Sequence, residues 1–304
     1  MKYLFSLLLI TGLIYQSHAQ HLSANENKLL KAKEDSMKQY ALDMVQGINV
    51  KDRFMADSIL TRLLVRSLKT PNSFYYPFDS LITVSCLYAP DSSFRIFSWQ
   101  LTIDENLVRQ HGAIQMHTDD GSLKLIPLID HSDNIDNIND SIVSNKAWIG
   151  ALYYKMVMKE HAGVKYYTLL GFDDNNIRSS RKYIEVLHFE NGDPVFGGKF
   201  FSVPNDSIRP HNPSRFVMEF KKEAGPRLTY DKELDMIVME HLVSESNQPR
   251  KKWTLIGDGD YEGFKWSNGR WIYVEKVFNQ VTPEGQAPTP KPLNPKDSKL
   301  GDKR

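Results

Sequence analysis

The chain has 304 residues, in which 38 Lys and Arg stand against 37 Asp and Glu, and it contains a single cysteine, Cys86. Near-neutral charge, with no basic stripe interleaved with aromatics, lacks the electrostatic footprint of a nucleic-acid binder. One cysteine excludes an internal disulfide, so a hydrophobic core must carry the fold.

Lys2, the apolar stretch Leu4 to Tyr15 and the triplet Ser17-His18-Ala19 have the form of an export signal cleaved after Ala19. About 12 apolar residues fall short of the ~20 that span a bilayer as a helix, and no later stretch is long enough to span one. The expectation is a soluble protein, periplasmic or extracellular, with no transmembrane segment after signal cleavage.

From residue 20 to residue 71 the spacing predicts a helical hairpin. Ser23-Ala24-Asn25-Glu26 has the capping-box pattern. Leu30, Met37 and Met44, with Leu29, Ala41 and Val45 beside them, then form one apolar stripe that Gly47 can end. A second run from Asp52 carries Phe54, Met55, Ile59, Leu60, Leu63, Leu64 and Leu68 at helical spacing until Thr70-Pro71. The hairpin reads as a layer packed on a sheet or as an arm for a partner.

Residues 72–281 read as one mainly β domain. Short apolar or alternating runs bounded by Asn, Asp, Gly and Pro begin with Leu81 to Leu87, where Cys86 reads as a small core residue rather than a nucleophile. They continue through Phe94 to Ile103, Ala113 to His117, Leu123 to Ile129, Ala147 to Met158, Lys165 to Phe172, Lys182 to Phe189 and Val195 to Val203. Arg215 to Phe220, Met236 to Leu242, Trp253 to Ile256, Glu262 to Trp266 and Arg270 to Val277 complete about a dozen strands. Short intervals leave little room for crossovers, so the strands should pair antiparallel, in a sandwich, a barrel or a small propeller. Residues 282–304 are proline-rich with little to bury, the composition of a disordered tail.

Asn268-Gly269 is the strongest signal for a two-residue type I′ turn. It sets Ser267 against Arg270, Trp266 against Trp271 and Phe264 against Tyr273, with the four aromatics on one face. Such a ladder is either core or a ligand-binding platform on which sugar rings stack.

Two acidic loops, Asp173-Asp174-Asn175-Asn176 and Asp258-Gly259-Asp260-Tyr261-Glu262, place alternate oxygens as calcium likes them, with Asp173, Asp174, Asp258 and Asp260 as ligands. Ordinary β-turn chemistry explains the same residues. No other cofactor is indicated.

His111, His117 and His131 lie near Asp119, Asp120, Asp130 and Asp133, but without the spacing of a metallohydrolase. Gly-x-Ser-x-Gly is absent, so serine hydrolase chemistry has no foothold. No catalytic residue is assigned. Asp-Ser followed by an apolar residue recurs at Asp35, Asp57, Asp79, Asp140 and Asp206, a triplet that resembles an acceptor for O-linked glycans in some exported bacterial proteins and is short enough to arise by chance.

Four further segments resemble an uncharacterised family of exported β-rich proteins of gram-negative bacteria. They are Tyr76-Pro77-Phe78-Asp79-Ser80-Leu81, Phe94-Arg95-Ile96-Phe97-Ser98-Trp99, Tyr166-Tyr167-Thr168-Leu169-Leu170-Gly171-Phe172-Asp173 and Tyr261-Glu262-Gly263-Phe264-Lys265-Trp266. The resemblance implies one β domain and brings no activity or site residue. Where that family reads Gly-Trp-Asp-Gly-Asn, this chain reads Gly171-Phe172-Asp173-Asp174-Asn175. The resulting expectation is a non-catalytic binding or structural module of the cell envelope, with a glycan or an envelope protein as partner. A hydrolase of envelope or extracellular polymers is the alternative, and it requires a deep pocket with converging titratable groups.

Overall fold

A computed structural model describes residues 22–204 and 211–278. The export signal, the proline-rich tail and the triplet Asp206-Ser207-Ile208 lie outside the described residues. Helix α1 (Ala24–Gln46) opens with the capping box: the Glu26 amide donates to Ser23 Oγ at 3.2 Å, and the Ser23 amide donates to Glu26 Oε2 at 2.8 Å. Gly47 ends it by donating its N–H to Asp43 O at 2.8 Å. A Cβ on Gly47 would stand 2.6 Å from that same oxygen, which is why glycine occupies the position. Helix α2 (Val50–Leu68) returns beside α1, burying Ala56, Leu60, Leu64 and Leu68 against Leu30, Met37, Ala41 and Met44. Phe54 and Met55, which share the helical spacing of that stripe, stay exposed.

Fifteen strands follow among the described residues: β1 (Val84–Tyr88), β2 (Phe94–Asp104), β3 (Leu107–Met116), β4 (Lys124–Ile129), β5 (Val143–Ser144), β6 (Leu152–His161), β7 (Val164–Asp173), β8 (Ser179–Glu190), β9 (Asp193–Phe196), β10 (Phe201–Ser202), β11 (Phe216–Lys221), β12 (Leu228–Asp231), β13 (Met236–Ser244), β14 (Leu255–Ser267) and β15 (Arg270–Val274). They form three open sheets. The first is the meander β1-β2-β3-β4, the second has the order β5-β9-β8-β7-β6 with β11 also on β8, and the third is β10-β15-β14-β13-β12. All pairs between these strands are antiparallel except β10 with β15. The sheets stack as a sandwich with an additional layer rather than closing into a barrel.

Side-chain alternation explains the stacking. On β2, Phe97, Trp99 and Leu101 face the helices, while Phe94 and Ile96 face the second sheet. On β7 and β8, Tyr167, Leu169, Tyr183 and Leu187 face the first sheet, and Leu170, Ile184 and Val186 face the third. Three cores thus separate four layers, and the middle sheet is buried on both sides.

Two departures from the sequence reading have local causes. The run Val195 to Val203 is cut by Gly197 and Gly198, at φ 91° and 140°, so that β9 ends in the second sheet and β10 begins in the third. Leu255 and Ile256 join Glu262 to Trp266 in one strand, β14, through a bulge, while Trp253 and Thr254 lie in the short 3-10 turn Lys252–Thr254 before it.

The edge of β8 is shared end to end. Residues 187–190 pair with β9 and residues 179–184 with β11. At the junction, Arg215 Nε donates to Glu185 Oε2 at 2.6 Å, with both side chains excluded from solvent. Tyr153 donates its hydroxyl to the same carboxylate and accepts from Trp148 Nε1 at 2.9 Å.

Candidate functional site

The aromatic hairpin has the register read from its turn: Ser267 opposes Arg270, Trp266 opposes Trp271 and Phe264 opposes Tyr273. Asn268 and Gly269 both have positive φ, at 49° and 78°, as a type I′ turn requires. The ladder faces inward. Phe264 and Trp271 are wholly buried, and Trp271 Nε1 donates to Thr168 Oγ1 at 2.9 Å across the layers. Trp266 and Tyr273 pack half-buried against the same core. A stacked sugar needs an open ring face, which the two inner rings do not have, so the ladder is core and the platform reading is corrected.

The acidic loops use their carboxylates on their own surroundings. Asp173 is buried, accepting from the Asn175 amide at 2.9 Å, Tyr183 Oη at 3.1 Å and Gln110 Nε2 at 3.3 Å. Burial raises its carboxyl pKa above the ordinary value despite those donors. Asp174 pairs with Lys222 Nζ at 2.6 Å. Asp258 accepts from the Asp260 amide at 3.0 Å and lies 2.8 Å from His241 Nδ1, while Asp260 is exposed. Among the described residues no three His, Cys, Asp or Glu side chains converge as a metal site would.

The three histidines also stay apart. His111 stacks on Trp99 beside Asp57, His117 Nε2 meets Tyr75 Oη at 2.8 Å, and His131 is exposed. Cys86 is partly buried beneath the helices, and burial pushes its thiol up to about 11, away from nucleophilic use.

The side chains that do come together lie in a cleft of about 330 Å³ between the second and third sheets. One wall is β11 with Phe216, Val217, Met218 and Glu219, joined by Arg181 from β8. The opposite wall is β13 and β14 with His241, Leu242, Leu255 and Glu262, and Pro249 and Lys252 close it from the connecting loop. The bulge builds this wall. Glu240 pairs with Tyr261 and Leu242 with Gly257, leaving His241 opposite the unpaired Asp258-Gly259-Asp260, with Gly259 at φ 89°. Such an interruption re-aims one side chain, here His241.

The cleft combines an apolar side with charges that already have partners. Glu219 accepts from Ser179 Oγ at 2.6 Å and from Arg181 Nε at 3.1 Å. Glu262 accepts from Tyr273 Oη at 2.6 Å, and His241 pairs with Asp258. For Asp258, burial acts to raise the carboxyl pKa, but His241 and the Asp260 amide outweigh it and hold it below the ordinary value. Of these residues the sequence pointed to Asp258, Asp260 and Glu262 of the second acidic loop and to Tyr273 of the aromatic hairpin, in other roles, and to the break in β14. Arg181, Glu219 and His241 carried no local signal, because three separate strands bring them together.

No family model matches the chain, and neither a curated protein nor a solved structure is significantly similar to it. Among the described residues no helix is long and apolar enough to cross a membrane.

Proposed function

We propose that the protein is an exported, non-catalytic binding module of a bacterial cell envelope, and that it holds its partner in the cleft between β11 and the β13–β14 wall. Export rests on the amino-terminal pattern from Lys2 to Ala19. One observation carries the binding reading: Glu219, Glu262 and His241 of the cleft are each held by a neighbouring side chain beside an apolar wall. Side chains held in this way beside an apolar wall present fixed polar contacts that a partner can match without reordering them.

The test is thermal unfolding of the mature chain with envelope glycans, peptides, calcium and EDTA. A ligand at 100 times its Kd stabilises a fold by about 2.7 kcal/mol. The expected result is a shift with one ligand class that Leu242→Ala, at a half-buried position of the cleft wall, weakens, and no shift from any class would overturn the proposal.

The hydrolase reading retains one observation in its favour, that Glu219 and Glu262 approach the same cleft from opposite walls. It requires turnover of the ligand that shifts the melting curve, and loss of that turnover in Glu262→Gln. Binding without turnover separates the two.

A further inference from the structure

Four consecutive residues of β11, Phe216 to Glu219, line the cleft. Side chains alternate along a strand: Phe216 and Met218 belong to the core shared with the third sheet, whereas Val217 packs on the core shared with the first. A hollow that meets both faces of one strand reaches its edge, and the short turn Lys252–Thr254 lies against the same strand. That edge is unpaired, because β11 pairs with β8 on one side and no described strand pairs with the other.

The direction of the main chain follows from two hydrogen bonds. Lys222 donates its N–H to Arg178 O on the β8 side, and Arg215 donates its N–H away from β8, to Asn139 O at 2.9 Å. In an antiparallel strand the N–H and C=O of one residue point to the same side and successive residues alternate. Val217 and Glu219 therefore turn their amides and carbonyls toward the cleft, while Phe216, Met218 and Phe220 turn theirs to β8. None of the main-chain to main-chain hydrogen bonds among the described residues outside the strand ladder engages Val217 or Glu219.

We infer that this edge takes up an extended peptide, which adds a strand to the second sheet. The inference rests on the binding-module reading and gives it a ligand class. Two donors and two acceptors at strand spacing are matched in register by another extended backbone, and a sugar or a lipid does not match them. Alternate side chains of the incoming strand meet Met218 and Leu242 on one side and the Arg181–Glu219 pair on the other. The fitting sequence thus alternates apolar with polar or charged residues. Asn139 closes one end of the edge, leaving roughly 13 Å, the length of four extended residues. The chain's own carboxyl-terminal segment is a poor occupant, since Pro283, Pro288, Pro290, Pro292 and Pro295 lack the N–H a ladder needs.

The experiment is amide hydrogen exchange on the mature chain, alone and with acetylated hexapeptides that alternate Val, Ile or Phe with Lys, Glu, Ser or Thr. In the free protein Val217 and Glu219 should exchange much faster than Met218. A binding hexapeptide should slow Val217 and Glu219 by about tenfold or more, in proportion to the sites occupied. N-methylation of alternate peptide amides should abolish this in one phase and spare it in the other.

If no hexapeptide binds, or if binding leaves these two amides unchanged, the inference is overturned. A glycan that raises the melting temperature without protecting them overturns it as well, yet leaves the binding-module reading standing. A melting curve unmoved by any peptide or glycan overturns both.

Discussion

Arg95 is a fully buried cation without a carboxylate among the acceptors of its guanidinium. It donates to Gln115 Oε1, Ser73 O and Tyr88 Oη, each at 2.8 Å, and to Tyr76 O at 2.5 Å. The rings of Phe74, Phe78, Tyr88 and Phe97 surround it, the last at 4.6 Å. It ties the segment after the helical hairpin to β2, so Arg95→Met should cost about 3–5 kcal/mol in a urea titration by leaving those acceptors unpaired. Asp91 has the opposite design, with its charge near the surface. Burial acts to raise its pKa, but Lys165, Ser93 and Tyr167 outweigh it and lower the carboxyl to about 2 from the ordinary 3.8. A depressed carboxylate stabilises the fold above its unfolded value and loses that contribution as the pH falls. The difference between the wild type and Asp91→Asn, about 1–3 kcal/mol for charge-assisted hydrogen bonds, should therefore be full above about pH 4 and gone below about pH 2. Unfolding curves recorded between those limits check it.

At the scale of elements, three hairpins use two-residue turns with both φ angles positive: Ala162-Gly163, Asn191-Gly192 and Asn268-Gly269. Ala162, at φ 50°, is the poor member, since alanine resists that conformation and asparagine tolerates it. Ala162→Asn should stabilise by about 0.5–1 kcal/mol. Gly163 and Gly269 share almost the same φ, 77° and 78°, but differ in surroundings. A Cβ on Gly163 meets nothing within 4 Å, whereas one on Gly269 comes within 2.6 Å of the His161 ring. Both alanine variants should lose about 1 kcal/mol to backbone strain, with Gly269→Ala losing more, as thermal melts would show. The Asn268-Gly269 turn and the Ser23 cap were legible in the sequence because their causes lie within a few neighbouring residues. The bulge was legible as a break between two apolar runs, though not as one strand passing through it. Strand β12 was missed, since Leu228-Thr229-Tyr230-Asp231 is too short to show a period. The cleft was missed for another reason: Arg181, Glu219 and His241 become neighbours only when β8, β11 and β13 stack, and no local pattern encodes that.

For the whole molecule, the four layers distribute the five tryptophans unequally. Trp99, Trp148 and Trp271 are buried between layers, Trp266 is half-buried and Trp253 is 36% exposed. Iodide should quench the emission of Trp253 and part of that of Trp266, and leave the other three untouched in the folded chain. Complete quenching before unfolding would contradict the stacking. The shared edge of β8 bears on how this arrangement assembles. Strand β9 follows β8 through a two-residue turn, so it can dock within roughly 1–10 μs, the time of hairpin closure. Strand β11 arrives from a distant part of the chain, after the chain has visited the third sheet at β10, and must wait for a slower loop closure. During that interval the amino-terminal half of β8 is open to the β11 of any neighbouring chain. Crowded refolding should accordingly yield strand-exchanged dimers that dilute refolding does not, making the late arrival of one short strand the step at which concentration decides between one chain and two.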